Sequence, residues 1–152
     1  LHIPFFSRKP LLNPAEQEQI VTAIKAAERR TSGEIRVFVE SRCRFVDPID
    51  RAAEVFAGLN MQKTEARNGV LVYIALKDRQ LALFGDKGIH EKVGSAFWNQ
   101  QVSGILSHFN KADYGGGIAA VVAAIGEALY RHFPYDGEND NNELPDEIVF
   151  GK

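Results

Sequence analysis

Apolar residues recur along this chain with two different periods. The stretch Asn13-Pro14-Ala15-Glu16 has the chemistry of a helix start. Asn13 can cap, Pro14 fits the first turn, and Glu16 stands where a capping box places its acid. Ile20, Val21, Ile24 and Ala27 then follow at helical spacing, and Thr31-Ser32-Gly33 stops the run. From 34 to 40 the period drops to two. Ile35, Val37 and Val39 share one side, which predicts a strand with one well-buried face. Asp47-Pro48 opens a second helix with Ala52, Ala53, Val55, Phe56 and Leu59 as its stripe. Val70 to Leu76 is almost wholly apolar, the pattern of a strand covered on both faces. Lys77-Asp78-Arg79-Gln80 reads as a tight turn, after which Leu81 to Phe84 returns antiparallel. A long helix is predicted over 90–109. A last one opens at Asp113-Tyr114-Gly115-Gly116-Gly117 and ends before Pro134.

The order helix, strand, helix, strand, strand, helix, helix predicts an α/β fold. It is a single-domain α/β/α sandwich with a small mixed sheet, made of a β-α-β crossover plus an antiparallel hairpin strand, with helices on both faces. Residues 1–12 form an arm, 13–133 the domain, and 134–152 an acidic tail. The tail holds six carboxylates against one lysine. With few apolar anchors it is expected to be flexible, Ile148, Val149 and Phe150 being the residues able to dock.

Composition narrows the function classes. The chain has 152 residues, 45% hydrophobic and 25% charged, enough for one core. A net charge of −2 gives no broad basic face, so nucleic acid is not an expected partner. No apolar run approaches the roughly 20 residues of a membrane helix, so no membrane span is expected. Cys43 is the single cysteine, which rules out an intrachain disulfide and suits a reducing compartment. The expected location is the cytoplasm. The start at Leu1 leaves an upstream segment or removed signal peptide open.

The predicted topology gathers acids at one end of the sheet. The first two strands run the same way, so Glu34 lies at an entrance. The third runs back and delivers Asp86 to that same end. Asp113, before the last helix, could fold toward it. Three carboxylates together suit a hard cation, calcium or magnesium. Each also has a plainer reading: Asp86 as a turn residue or helix cap, Asp113 as an N-cap, Glu34 as a solvated strand end. Lys87 and the backbone N–H groups of Gly115 and Gly116 are candidate contacts for a phosphate or other anion. The glycine run lacks a P-loop's Lys-Ser/Thr ending and follows no strand. The acidic tail lacks the turn glycine of an EF-hand. Cys43 lies between Arg42 and Arg44, but no histidine accompanies it in any motif. Phe97 and Trp98 read as core.

The segments "TSGEIRVFV" (31–39), "RNGVLVYIALKDRQLALFGDKGIH" (67–90) and "FW" (97–98) resemble the TPM domain family, the domain of thylakoid-lumen acid phosphatase-like proteins. The resemblance covers roughly 13–133. It implies an α/β/α sandwich, divalent-cation binding and an acid phosphatase activity claimed for a plant member. Glu34 matches the acidic residue of the family's first-strand motif, Asp86 the one after the third strand, and Asp113-Tyr114 its acidic-aromatic pair. The three glycines after that pair depart from the family pattern. Two functions follow as expectations. One is a calcium-binding domain with weak phosphatase chemistry on a phosphorylated substrate, its metal held by Glu34, Asp86 and Asp113. The other is a non-catalytic module that recognises a protein partner, with the metal only ordering loops.

Overall fold

The computed structural model describes residues 11–135 and 147–151. In chain order the elements are α1 (Pro14–Glu28), β1 (Glu34–Glu40), α2 (Pro48–Gly58), a 3-10 turn (Met61–Lys63), β2 (Gly69–Ala75) and β3 (Gln80–Gly85). They continue with α3 (Lys87–Asn110), α4 (Tyr114–His132) and β4 (Val149–Phe150). The sheet is ordered β3-β2-β1-β4. β1 runs parallel to β2 and to β4, while β3 is antiparallel to β2. This is the expected α/β/α sandwich with its crossover and hairpin, extended by one short strand from the tail.

Alternation along the strands divides the core in two. Ile35, Val37 and Val39 of β1 join Val70, Val72 and Ile74 of β2 against α1, α3 and α4. Phe38, Leu71, Tyr73 and Ala82 face α2. β2 is buried along its whole length, as its apolar run predicts. β1 differs from expectation. It too is buried along its whole length, so Glu34, Arg36 and Glu40 are inside. A strand between two neighbours with helices above and below has no wet face, whatever its alternation suggests.

The helix starts follow local chemistry. The Asn13 side chain accepts from the Glu16 amide while Glu16 reaches back to the Asn13 amide, a complete capping box. Asp47 caps α2. α3 begins at Lys87, three residues before the apolar pattern suggests, because the Asp86 side chain caps it. At Gly94 the backbone takes φ 77°, ψ 171° and breaks α3 into two segments, where the sequence predicts a single helix.

α1 and α4 lie side by side and run the same way. A Cβ on Gly115 would meet Glu16 and Gln19, one on Gly126 would meet Ala27, and one on Gly33 would meet Leu129. The carboxyl end of α4 therefore lies at the entrance to β1, and its amino end lies far from it. The stretch 136–146, on which the expectation of a flexible tail falls, lies outside the described residues. Val149 and Phe150 pair with Phe38 and Val39 of β1.

Candidate functional site

The expected acidic rim is the end of the sheet where β1 and β2 begin and β3 ends. Glu34 pairs with Gly69 in register, and the Asp86 amide donates to the Gly69 carbonyl. Two of the three acids therefore do flank one point. Glu34 is 2% exposed and so is no solvated strand end. Asp86 is 4% exposed, and its carboxylate is already engaged. Arg67 Nε lies 2.7 Å from Oδ2 and Nη2 2.9 Å from Oδ1, a two-pronged pair, and Oδ1 also accepts from the Lys87 amide at 2.8 Å. The pairing holds the Arg67 guanidinium above its ordinary value.

Arg67 reaches this position because its backbone is left-handed, φ 52°. That turn also aims its carbonyl at the amides of Gly88 and Ile89. The amino end of α3 is thus closed by one carboxylate and one carbonyl, both from the rim.

Asp113 does not join the rim. Leu129 packs on Gly33 beside Glu34, and Asp113 lies 16 positions earlier, about 24 Å along the axis at 1.5 Å per residue. There it caps α4 through the Gly116 amide at 3.1 Å and pairs with His108 Nδ1 at 3.0 Å. The His108 hydrogen bond comes first, burial opposes it, and with the smaller help of the Gly116 amide the carboxyl is held below the ordinary range. Lys87 and the Gly115-Gly116 pair are separated in the same way, at opposite ends of α3. The donor set expected from the sequence therefore does not fit a single cation. Among the described residues, no three His, Cys, Asp or Glu side chains gather as a metal site would need.

Two features escaped the sequence. At the opposite end of β1, Glu40 accepts from Arg51 at 2.9 and 3.0 Å and from the Tyr73 hydroxyl, and Arg51 also binds Glu54. Burial alone would raise the Glu40 carboxyl, but the Arg51 and Tyr73 hydrogen bonds outweigh it and hold the carboxyl low. Burial, then Glu40, pushes the Tyr73 phenol up, so it stays protonated. This network borders a polar cavity of about 810 Å³ that also touches Arg42, Cys43 and Asp78. Each of its carboxylates already faces an arginine. The only sequence signal was a strand ending in Glu a short loop before a helix.

The second feature is a groove of about 690 Å³ along β3. Leu81 to Gly85 line it, with Pro48 and Ile49 on the α2 side and Trp98 and Val102 on the α3 side. Trp98 is a core residue, as read, and also a wall. Its Nε1 donates to His90 Nδ1 at 3.0 Å, and its ring occupies the space that a side chain on Gly85 would need.

The layers, the four-stranded mixed sheet and the rim define a small α/β/α domain. A model of the TPM domain matches residues 7–128, and the chain belongs to that family. The NMR structure of the BA42 protein from the psychrophilic bacterium Bizionia argentinensis is similar, with a TM-score of 0.86 at 37% identity over 96% of this chain and 99% of that one. The N-terminal domain of cg2496 protein from Corynebacterium glutamicum shares the fold, with a TM-score of 0.57 at 14% identity over 91% of this chain and 80% of that one. No curated protein matches the chain. None of its described helices is long and apolar enough to cross a membrane.

Proposed function

We propose that this TPM domain works by binding a protein partner and performs no catalysis of its own. The observation that carries this reading is the apolar groove along β3, open on a sheet edge and walled by Pro48, Ile49, Trp98 and Val102. The acids that would serve chemistry have structural employment instead. Asp86 closes α3 and holds Arg67, Glu40 is tied to Arg51 and Tyr73, and Asp113 caps α4. A divalent cation, where one binds, orders loops and does no chemistry.

The alternative, a calcium-dependent acid phosphatase, keeps one observation in its favour: Glu34 and Asp86, both buried, flank Gly69. A cation there would have to displace Arg67 from Asp86.

One pair of experiments separates the readings. Calcium is titrated by calorimetry into the parent and into Asp86→Asn, and hydrolysis of p-nitrophenyl phosphate is followed with and without chelator. The binding reading expects the same calcium response from both proteins and no chelator-sensitive hydrolysis. Calcium affinity lost in Asp86→Asn, together with hydrolysis that the chelator abolishes, would establish the phosphatase reading in its place.

A further inference from the structure

We propose that the free edge of β3 accepts an added strand: an extended, alternately apolar peptide of a protein partner, laid between α2 and α3. This deepens the binding reading above and rests on it.

The hydrogen-bond phase of the hairpin carries the proposal. The Asp86 amide donates to Gly69, and the pairs Leu71–Phe84, Tyr73–Ala82 and Ala75–Gln80 lie in the same phase of the register. In an antiparallel ladder the intervening residues turn their backbone groups the other way. The N–H and C=O groups of Leu81, Leu83 and Gly85 therefore point away from β2. β3 is the terminal strand on its side, and these groups have no partner among the described residues. Three donors and three acceptors stand in a row, spaced as a strand requires.

Sheet edges are ordinarily blunted by charge, proline, a bulge or a covering element. Gln80–Gly85 has no charged residue and no proline, and its register with β2 is unbroken. The opposite edge is treated differently, since β4 covers part of β1.

The groove selects the occupant. Its walls rise on both faces of the sheet, so an incoming sheet edge with its own helices would meet them, whereas a lone strand passes between. A strand of five to six residues, about 17–20 Å, matches β3. Its alternate side chains would fall toward Pro48 and Ile49 on one face and toward Trp98 and Val102 on the other. Beyond the Gln80 end, Phe45 and Val46 expose further apolar surface, Val46 completely.

Charge sets which end of the occupant is basic and which acidic. α2 begins near the Gln80 end, because Arg51 of its first turn binds Glu40, and it ends near Phe84, which Phe56 contacts. Asp47 thus marks the entrance of β3, and Lys87 the exit. Neither side chain forms an ion pair among the described residues. A peptide with a basic residue at the Asp47 end and an acidic one at the Lys87 end complements both, in either strand direction.

The probe is a phage-displayed library of random twelve-residue peptides, selected against the full chain. The enriched sequence is then synthesised and titrated by NMR. Strand addition predicts alternating apolar residues in the selected peptides. It also predicts slowed exchange at the Leu81, Leu83 and Gly85 amides. N-methylating the peptide amides in one phase should cut affinity at least about tenfold, through several lost hydrogen bonds, and in the other phase leave it near the parent value. Ile49→Asp, on a half-open wall, should weaken binding with the fold unchanged by far-UV circular dichroism. Binding in the groove with unchanged edge amides and equal effects from both N-methyl phases overturns strand addition and leaves the binding reading standing. No enrichment, or shifts confined to other surfaces, overturns both. Edge protection that grows with protein concentration alone assigns the edge to a second copy and overturns the peptide.

Discussion

Asp86 illustrates how one carboxylate can be read in two ways. From the sequence it is an acid between glycines at a strand end, open to a metal or to a cap. In the fold it is a cap that also grips Arg67. Asp86→Asn keeps an oxygen for the Lys87 amide and loses only the ion pair. Asp86→Ala loses both, and the cap alone is worth about 1–2 kcal/mol. We expect the alanine variant to melt clearly below the asparagine one, and equal melting temperatures would remove the capping role. Glu40 gives a pH test. Its folded carboxyl lies below the ordinary value, so its stabilisation is present at neutral pH and is lost as pH falls through the folded value. Glu40→Gln should therefore be less stable than the parent at pH 7. The gap in urea midpoint should close below about pH 4, the ordinary carboxylate range. A gap unchanged with pH would mean that packing, and not charge, is what the variant disturbs. The Glu40 network was illegible in the sequence because its partners lie 11 and 33 positions away, on other elements.

The elements themselves were largely written in the pattern. The capping box of α1, the apolar run of β2 and the hairpin to β3 all reflect local chemistry that periodicity and propensity express. The early start of α3 was not visible, since it depends on what Asp86 and Arg67 do at the rim, and a lone glycine inside a helical pattern did not announce the kink at Gly94. Asp113 failed as a rim residue for a similar reason. The direction in which α4 crosses α1 is set by close contacts at Gly115 and Gly126, and no single-sequence pattern encodes it. Gly88 offers a test of the rim's tightness. A Cβ there would overlap the Ala66 and Arg67 carbonyl oxygens, which are backbone and cannot swing aside. Gly88→Ala should cost about 1–3 kcal/mol by overpacking, read from urea unfolding. Gly104→Ala, whose Cβ would meet nothing within 4 Å, should be neutral or slightly stabilising. A similar small gain in both would mean that helix propensity, not crowding, governs these sites.

At the scale of the molecule, the sheet formed by the described residues is asymmetric, closed on one side and open on the other. β4 brings the tail's last apolar residues back to β1, where a side chain on Gly151 would press on Phe38. Removing residues 147–152 should lower the melting temperature by uncovering Phe38 while leaving a cooperative transition. An unchanged melting temperature would show that β4 adds nothing. The open side, along β3, is where the account places function. Amide hydrogen exchange in the free protein tests that most directly, because neighbouring residues of one strand should behave in opposite ways. Ala82 and Phe84, whose amides point into the ladder with β2, should exchange slowly, with protection close to that of global unfolding. Leu81 and Leu83, their neighbours in the same strand and likewise buried, should exchange orders of magnitude faster. Equal protection along Leu81 to Phe84 would mean that the edge is already occupied, and the account of a binding domain built on a free strand would be contradicted.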